Sequence, residues 1–486
     1  MAVSTGKILV VDIGTSSVRV AIIDSDARVI EERHRSLLPQ TPAPGLVEFD
    51  AAAMARSSIE LCQGALEAHG PVDAVGIANQ RASVVVWDRK TGVPVAPGIG
   101  WQDLRTVMRC LELRGQGQHL APNQSATKIE SILDLADPDR SRDLCVGTVD
   151  SWIISILTNG ELHITDGTNV AVTGLREINN REWNTELLDT LRIPESLLPA
   201  VVDSSGLHGL ATALLGAPPI AGIMGDQQAS LLGQGCVTPG DAKITFGTGA
   251  MLDLVLDGTI DDVKESRYLG GTFPIVTRRQ NGKDLAGLEA IMLAAGTNIE
   301  WLRDDMGLIA SAEESAEIAA TCSDTGDVWF VPALLGLGTP NWDYGARASF
   351  VGITRGTTRA HMVRAVLEGV AHRGADLVDA AEADSKFTIA RLRIDGGMSA
   401  NPVFVSALAS ATQRPVEISP VREATTLGAA FSAGLAVGIW SGDEEIAATW
   451  RPTQVIEPGS ALNRDRWSEA VQRSENWIPA LSGLEF

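Results

Sequence analysis

The sequence predicts an α/β protein built in two halves, and three observations carry that expectation. Residues 7–24 read KILVVD, IGTSS and VRVAIID, two β-branched runs around a Gly/Thr/Ser turn, which is a β-hairpin pattern. Residues 237–258, VTPGDAKITFGTGAMLDLVLDG, repeat it around Gly247, Thr248 and Gly249. Around these hairpins, runs of strand length alternate with stretches of helical periodicity. The 486 residues exceed what one core supports, about 250 to 300 residues. Two domains follow, divided near the TPGD turn into residues 1–236 and 237–486.

Each element has a local reason. VDAVGIANQ (72–80) and SVVVWD (83–88) are apolar and β-branched, so they predict strands. GTVDSWIISILTNG (147–160) predicts a helix that stops at Asn-Gly. PPIAGIMGDQQASLLGQG (218–235) predicts a strand ending at Gly225, then a small-residue helix with Asp226 as its N-cap. Helices are expected over about 286–304 and 359–382, followed by a strand at RLRID (391–395), a Gly-Gly turn and a helix after Asn401-Pro402.

Composition excludes several classes. With 61 Asp and Glu against 39 Lys and Arg, the net charge is −22, which argues against nucleic-acid binding, since that needs clustered cations. A chain that is 44% hydrophobic and 21% charged is globular and not disordered. The five cysteines form no CxxC pair and the histidines no HxxxH spacing, so reduced thiols and no imidazole-built metal site are expected. The N-terminus lacks the apolar core of a secretory signal, and no run reaches 18 uncharged apolar residues, which predicts a cytoplasmic protein without membrane insertion.

DIGTSS (12–17) sets a carboxylate at a strand end before a Gly and three hydroxyl residues, the equipment for phosphates and a hydrated Mg²⁺. FGTG (246–249) repeats it without the carboxylate. Each alone reads first as a plain hairpin turn, but two such turns on two halves are what an actin-like ATPase cleft needs. No GxxxxGK[ST] or GxGxxG string supports a P-loop or dinucleotide site. Asp226 suits the proton acceptor of a phosphoryl transfer to an alcohol, a role compatible with capping. The two glycines of DGGMSAN (395–401) admit a flat adenine or simply make a tight turn. By residue type alone, Arg81 reads as a surface ion pair and Trp101 as a core aromatic.

Taken together, VVDIGTSSVR (10–19), PGLVEFD (44–50), GIANQR (76–81), GTVDSWI (147–153), GDQQA (225–229), FGTG, WLRDDM (301–306), VPALLGLGTPNWDYGAR (331–347), DGGMSAN and REATTLGAA (422–430) resemble the FGGY carbohydrate kinases, and within that family the glycerol kinases. The resemblance implies two actin-like (ribonuclease H-like) domains with ATP, Mg²⁺ and substrate in the cleft between them. It implies transfer of the γ-phosphoryl group to a primary hydroxyl of a small polyol or sugar. Asp226 would be the catalytic base with Gln227 beside it. Asp12 would act through the metal and its waters, and Thr15, Ser16, Ser17 and Arg19 would line the phosphates. Thr248 and Gly249 would face the β- and γ-phosphates, Gly296, Gly397 and Asn401 would hold the nucleoside, and Arg81 and Trp101 would contact the polyol. Assembly as a homodimer or homotetramer is implied without the number being fixed.

Departures from the family bear on the acceptor. Where glycerol kinases follow the arginine with a glutamate, this chain has Ala82; their substrate-contacting tyrosine falls on Asn123 and their phenylalanine on Met251. A lost carboxylate acceptor and two smaller or more adaptable walls predict a four- or five-carbon polyol in preference to glycerol. Glycerol phosphorylation is the near alternative, and a catalytically idle nucleotide sensor the distant one. The segment through which some bacterial glycerol kinases bind fructose 1,6-bisphosphate reads ATALLGAP (211–218) here, so the resemblance does not extend to that control.

Overall fold

Strand β1 (Lys7–Ile13) pairs antiparallel with β2 (Ser17–Asp24), and β2 with β3 (Val29–Ser36), so the first expected hairpin is formed. The computed structural model describes residues 5–176, 183–260, 267–421 and 424–483; Arg422 and Glu423 of the REATTLGAA segment lie outside them. Helix α1 (Ala51–His69) begins where the Asp50 side chain accepts the Ala53 N–H at 2.8 Å and ends at Gly70, φ 78°. β4 (Ala74–Asn79) returns parallel to β1, then β5 (Ser205–Leu210) and β6 (Pro219–Gly225) complete a sheet ordered β5-β6-β4-β1-β2-β3.

After helix α2 (Asp226–Gly233) the chain builds a second sheet from β7 (Ala242–Phe246), β8 (Ala250–Thr259), β9 (Phe273–Gln280), β10 (Lys283–Met292), β11 (Leu392–Asp395), β12 (Val416–Ile418) and β13 (Gln454–Ile456), ordered β9-β10-β8-β7-β11-β12-β13. Laid side by side, β3-β2-β1-β4-β6-β5 and β10-β8-β7-β11-β12-β13 share every strand direction: antiparallel through the hairpin, parallel for the next two, antiparallel at the edge. The repeated hairpin is thus the centre of a repeated sheet, the actin-like, ribonuclease H-like architecture.

Helices α3 (Thr297–Asp304), α4 (Arg359–Ser385), α5 (Pro402–Thr412) and α6 (Ala424–Val437) complete the frame. The helix expected over 286–304 is corrected to β10 followed by α3. β10 is hydrogen-bonded on both sides and mostly buried, so it carries a run of small apolar residues whose periodicity does not separate strand from helix.

α6 belongs by sequence to the second half but packs on the first sheet, where Leu427, Ala430, Phe431 and Ala433 share a core with Ile8, Val10, Ala74 and Met224. Two close approaches require glycine. A Cβ at Gly76 would stand 2.3 Å from the Ala429 carbonyl, and one at Gly428 only 1.7 Å from the Ala229 carbonyl of α2. The backbones of α2 and α6 therefore touch, and the two halves join through that contact.

Candidate active site

β1 carries Asp12 to the first turn. The residue is 8% exposed, and its carboxylate faces Arg19 Nη1 at 3.5 Å and accepts a hydrogen bond from Thr426 Oγ1 of α6 at 3.3 Å. Gly14 N–H closes the turn on the Ser17 carbonyl at 3.0 Å, and Ser16 is left exposed. Thr15 Oγ1 accepts from Trp101 Nε1 at 3.2 Å, so the turn expected to hold phosphate meets the wall expected to hold the acceptor.

That wall is set by a small sheet in which Val84–Asp88 pairs antiparallel with Gly98–Ile99 at Val84↔Ile99. Arg81 and Ala82 precede one strand and Trp101 follows the other, so all three gather at one end. Ala82 is 6% exposed with φ 60°, and its carbonyl accepts from Ser125 Oγ at 3.1 Å. Asn123 is exposed. Lys128, fully buried, ties the segments together, donating to the carbonyls of Trp101 at 3.0 Å and Asn123 at 3.4 Å. Burial pushes the pKa of its ammonium down to about 7.

Asp226 opens α2. The expected cap is corrected by one residue: extended backbone runs through Gly225, φ −64° and ψ 150°, so Gly225 is the N-cap and Asp226 the first helical residue. Among the described residues its Oδ1 accepts only the neighbouring Gln227 N–H, at 2.8 Å, and the side chain stays 30% exposed with Arg81 Nε 3.5 Å away. Burial raises the Asp226 pKa above the ordinary carboxylate range, and the Arg81 guanidinium pulls it part of the way back. The turn beneath is anchored by polar groups: Gly225 N–H donates to Thr168 Oγ1 at 2.8 Å, Thr168 donates to Asp166, and Ser204 Oγ donates to Asp166 at 2.6 Å. From α6, Thr425 Oγ1 donates to the Asp226 carbonyl at 3.2 Å.

The second hairpin closes at Phe246↔Ala250 and rests on the start of α3. The Thr248 carbonyl accepts from the N–H groups of Ala295 at 2.8 Å and Thr297 at 3.2 Å, while a Cβ at Gly296 would meet the Gly247 carbonyl at 2.6 Å and one at Gly249 the Met292 carbonyl at 2.7 Å. Gly397 is different: nothing lies within 4 Å of a Cβ built there, so the chain's own packing does not demand a glycine. Asn401 is engaged, its Oδ1 capping α5 through Val403 and Phe404 N–H at 3.1 Å and its Nδ2 donating to Ser315.

Sequence reasoning missed a row of charge. Across the second sheet, Glu417, Arg393, Lys243, Asp253 and Glu289 are register partners on β12, β11, β7, β8 and β10. Lys243 and Asp253 are fully buried with Nζ 2.7 Å from Oδ2, and Glu289 Oε1 accepts from Arg81 Nη2 at 2.6 Å. Lys and Asp inside the apolar runs KITF and MLDLVLD were the available signal. The Arg81 guanidinium thus reaches a carboxylate from each half, Asp226 and Glu289. A proton acceptor beside a guanidinium, tied through Thr425 and Thr426 of one helix to Asp12 at the first Gly/Thr turn, is an arrangement able to support phosphoryl transfer to an alcohol.

Known proteins share this fold. Residues 7–233 match the N-terminal domain, and 242–437 the C-terminal domain, of the FGGY family of carbohydrate kinases. The glycerol kinase of Aromatoleum aromaticum is 41% identical over 97% of this chain and 99% of its own, and glycerol kinase 2 of Thermotoga maritima is 40% identical with the same coverage. Among solved structures, the Plasmodium falciparum glycerol kinase with ADP superposes with a TM-score of 0.87 at 29% identity, covering 96% of this chain and 98% of that one. The Brucella ovis "xyloylose kinase" structure gives 0.84 at 25% identity, covering 99% and 100%. Among the described residues no helix is long and apolar enough to cross a membrane. With paired sheets, a partly exposed Asp226 carboxylate beside Arg81 and both family domains matched in order, the chain belongs to the FGGY family of carbohydrate kinases, ATP-dependent phosphotransferases that use an alcohol group as acceptor.

Proposed function

We propose that this kinase phosphorylates a primary hydroxyl of a small polyol and that glycerol is its acceptor. The support is the name carried by relatives about 40% identical over nearly the whole chain, glycerol kinase. Ala82, Asn123 and Met251 favour the second reading, a four- or five-carbon polyol. Three side chains weigh less than full-length similarity, so the longer acceptor is the alternative and not the first choice.

In this reading the acceptor lies against Trp101, with Asn123 and Met251 as the outer wall and Ala82 at its floor. Arg81, held by Glu289, and Gln227 orient its hydroxyls. Asp226 takes the proton of the attacking hydroxyl. The observation that carries this role is that, among the described residues, its carboxylate accepts one hydrogen bond, from the Gln227 N–H, and keeps solvent access beside Arg81. A pKa raised toward the working pH suits a general base.

Thr15, Ser16, Ser17 and Arg19 line the phosphates on one side, and Thr248 and Gly249 face the β- and γ-phosphates on the other. Gly296, Gly397 and Asn401 hold the nucleoside; the open space at Gly397 supports an approach by a flat base. The donor chemistry at Asp12 fits Mg²⁺, which takes one or two carboxylates together with phosphates and waters. When bound, Mg²⁺ screens phosphate charge.

ADP release in a coupled assay with ATP-Mg²⁺, across glycerol, tetritols, pentitols and ketopentoses, tests the proposal. Glycerol giving the highest kcat/KM supports it. A tetritol or pentitol ahead of glycerol moves the assignment to the wider pocket.

A further inference from the structure

We propose that Lys243 is a positioning residue for the acceptor: it holds the Gln227 carboxamide so that the amide nitrogen, and not the oxygen, faces the polyol. This rests on the reading of Gln227 as an acceptor contact.

Lys243 Nζ donates to Gln227 Oε1 at 2.9 Å and to Thr245 Oγ1 at 2.9 Å, and lies 2.7 Å from Asp253 Oδ2. An ammonium has three donors and no acceptor, so its partner on Gln227 must be the oxygen. The carboxamide is thereby fixed in one of its two orientations. Among the described residues no hydrogen bond engages Gln227 Nε2, which leaves its N–H groups for a ligand.

The three partners come from three elements. Gln227 is on α2 at the end of the first half, while Thr245 and Asp253 are on β7 and β8 of the second. The Asp253 contact is an ion pair off the hydrogen-bonding direction, since among the described residues neither carboxylate oxygen has a hydrogen-bond donor. Asp253 compensates the buried charge of Lys243 where solvent is excluded from both. Such a pair is weak evidence for stability, because an apolar pair of similar volume is often as stable. Its effect here is directional: it aims an amide donor beside the base.

The consequence for recognition is specific. With Ala82 in place of a carboxylate and Gln227 turned nitrogen-outward, the acceptor meets donors from Arg81 and Gln227, so it is bound through hydroxyl lone pairs more than through hydroxyl protons.

The test is a mutant cycle on the full chain, with acceptor KM, ATP KM and kcat measured separately. Removing both charges as Lys243→Met with Asp253→Leu avoids an unpaired buried ion. That variant and Gln227→Ala are each expected to raise acceptor KM by about tenfold, the size of one well-placed hydrogen bond, while ATP KM stays unchanged. The combination of all three changes is expected to stay within about twofold of Gln227→Ala alone, because coupled residues are non-additive. Effects that multiply, or an ATP KM that rises in parallel, overturn the proposal and leave the Gln227 reading standing. If Gln227→Ala leaves acceptor KM untouched, both fall. Gln227→Glu gives an independent check should the charge-removed variant fail to fold. It keeps an oxygen for Lys243 but loses the donor, so acceptor KM is expected to rise as in Gln227→Ala; wild-type KM refutes the donor role.

Discussion

Arg81 Nε lies 3.5 Å from Asp226 Oδ1 while Arg81 Nη2 donates to Glu289 at 2.6 Å, so the candidate base is opposed by a cation that the other half of the molecule holds in place. The Asp226 pKa is raised by burial and lowered by Arg81, the first cause being the larger. A protonated Asp226 cannot accept a proton, so kcat/KM falls as pH drops through this raised value. Arg81→Gln removes the opposing pull, and the acid limb is expected to move to higher pH. An unmoved limb separates Arg81 from the titration of the base. Asp226→Asn is expected to lower kcat by about 10²- to 10⁴-fold with ATP affinity retained, which isothermal titration checks. Lost ATP affinity would assign Asp226 to the nucleotide instead.

The contact of α2 with α6 gives a second prediction. A Cβ at position 428 would overlap the Ala229 carbonyl at 1.7 Å, and neither backbone has a flexible end to yield. Gly428→Ala must therefore spread the two helices. α2 carries Asp226, and α6 carries Thr425 and Thr426, bonded to the Asp226 carbonyl and the Asp12 carboxylate. The expected result is a lower Tm, from an overpacking cost of about 1 to 3 kcal/mol, with kcat reduced by more than tenfold in the fraction that stays folded. Wild-type kcat at lowered Tm would show that the helix contact serves stability alone.

Much of this was legible in the sequence because it is local. The hairpins at 7–24 and 242–259, the strand into Gly225 and the glycine turn at 396–397 each follow from turn chemistry and β-branched runs. The fault lines are equally physical. Glu289 sits in a run of small apolar residues that reads as helix until β8 and β9 pair with it on both sides. The row Lys243, Asp253 and Glu289 exists only once register is set, and register is a property of three strands together. The return of α6 to the first sheet depends on close approach at Gly76 and Gly428, which no periodicity announces. The cap moved from Asp226 to Gly225 because the extended backbone stops at Gly225 and the helix begins one residue earlier than the side-chain preference of Asp226 suggests.

Ala82 offers a direct test of acceptor choice. It is buried with φ 60°, so any non-glycine residue there bears a backbone cost already borne by alanine. Ala82→Glu places a carboxylate acceptor at the floor of the acceptor wall. Glycerol kcat/KM relative to a tetritol is expected to rise by about tenfold or more, the usual size of one hydrogen-bonded discrimination. An unchanged ratio would mean that the residue after Arg81 does not read the acceptor.

Asp150, fully buried, makes a stability prediction away from the cleft. Burial pushes its pKa up to about 6, and the hydroxyls of Thr148 at 2.5 Å and Thr165 at 2.7 Å oppose the rise by donating to it. In the unfolded chain the group titrates near the ordinary 3.8. Below pH about 4 it is protonated in both states and its favourable contribution is complete. As pH climbs through about 6 the folded state must give up that proton in a dry site, and the contribution is lost. The gap corresponds to about 3 kcal/mol. Asp150→Asn has no proton to lose, so urea unfolding is expected to show its stability relative to wild type growing by about that amount between pH 4 and 6, then levelling. Curves that stay parallel across this range would show that the Asp150 carboxylate is solvated or compensated well enough to titrate as it does unfolded.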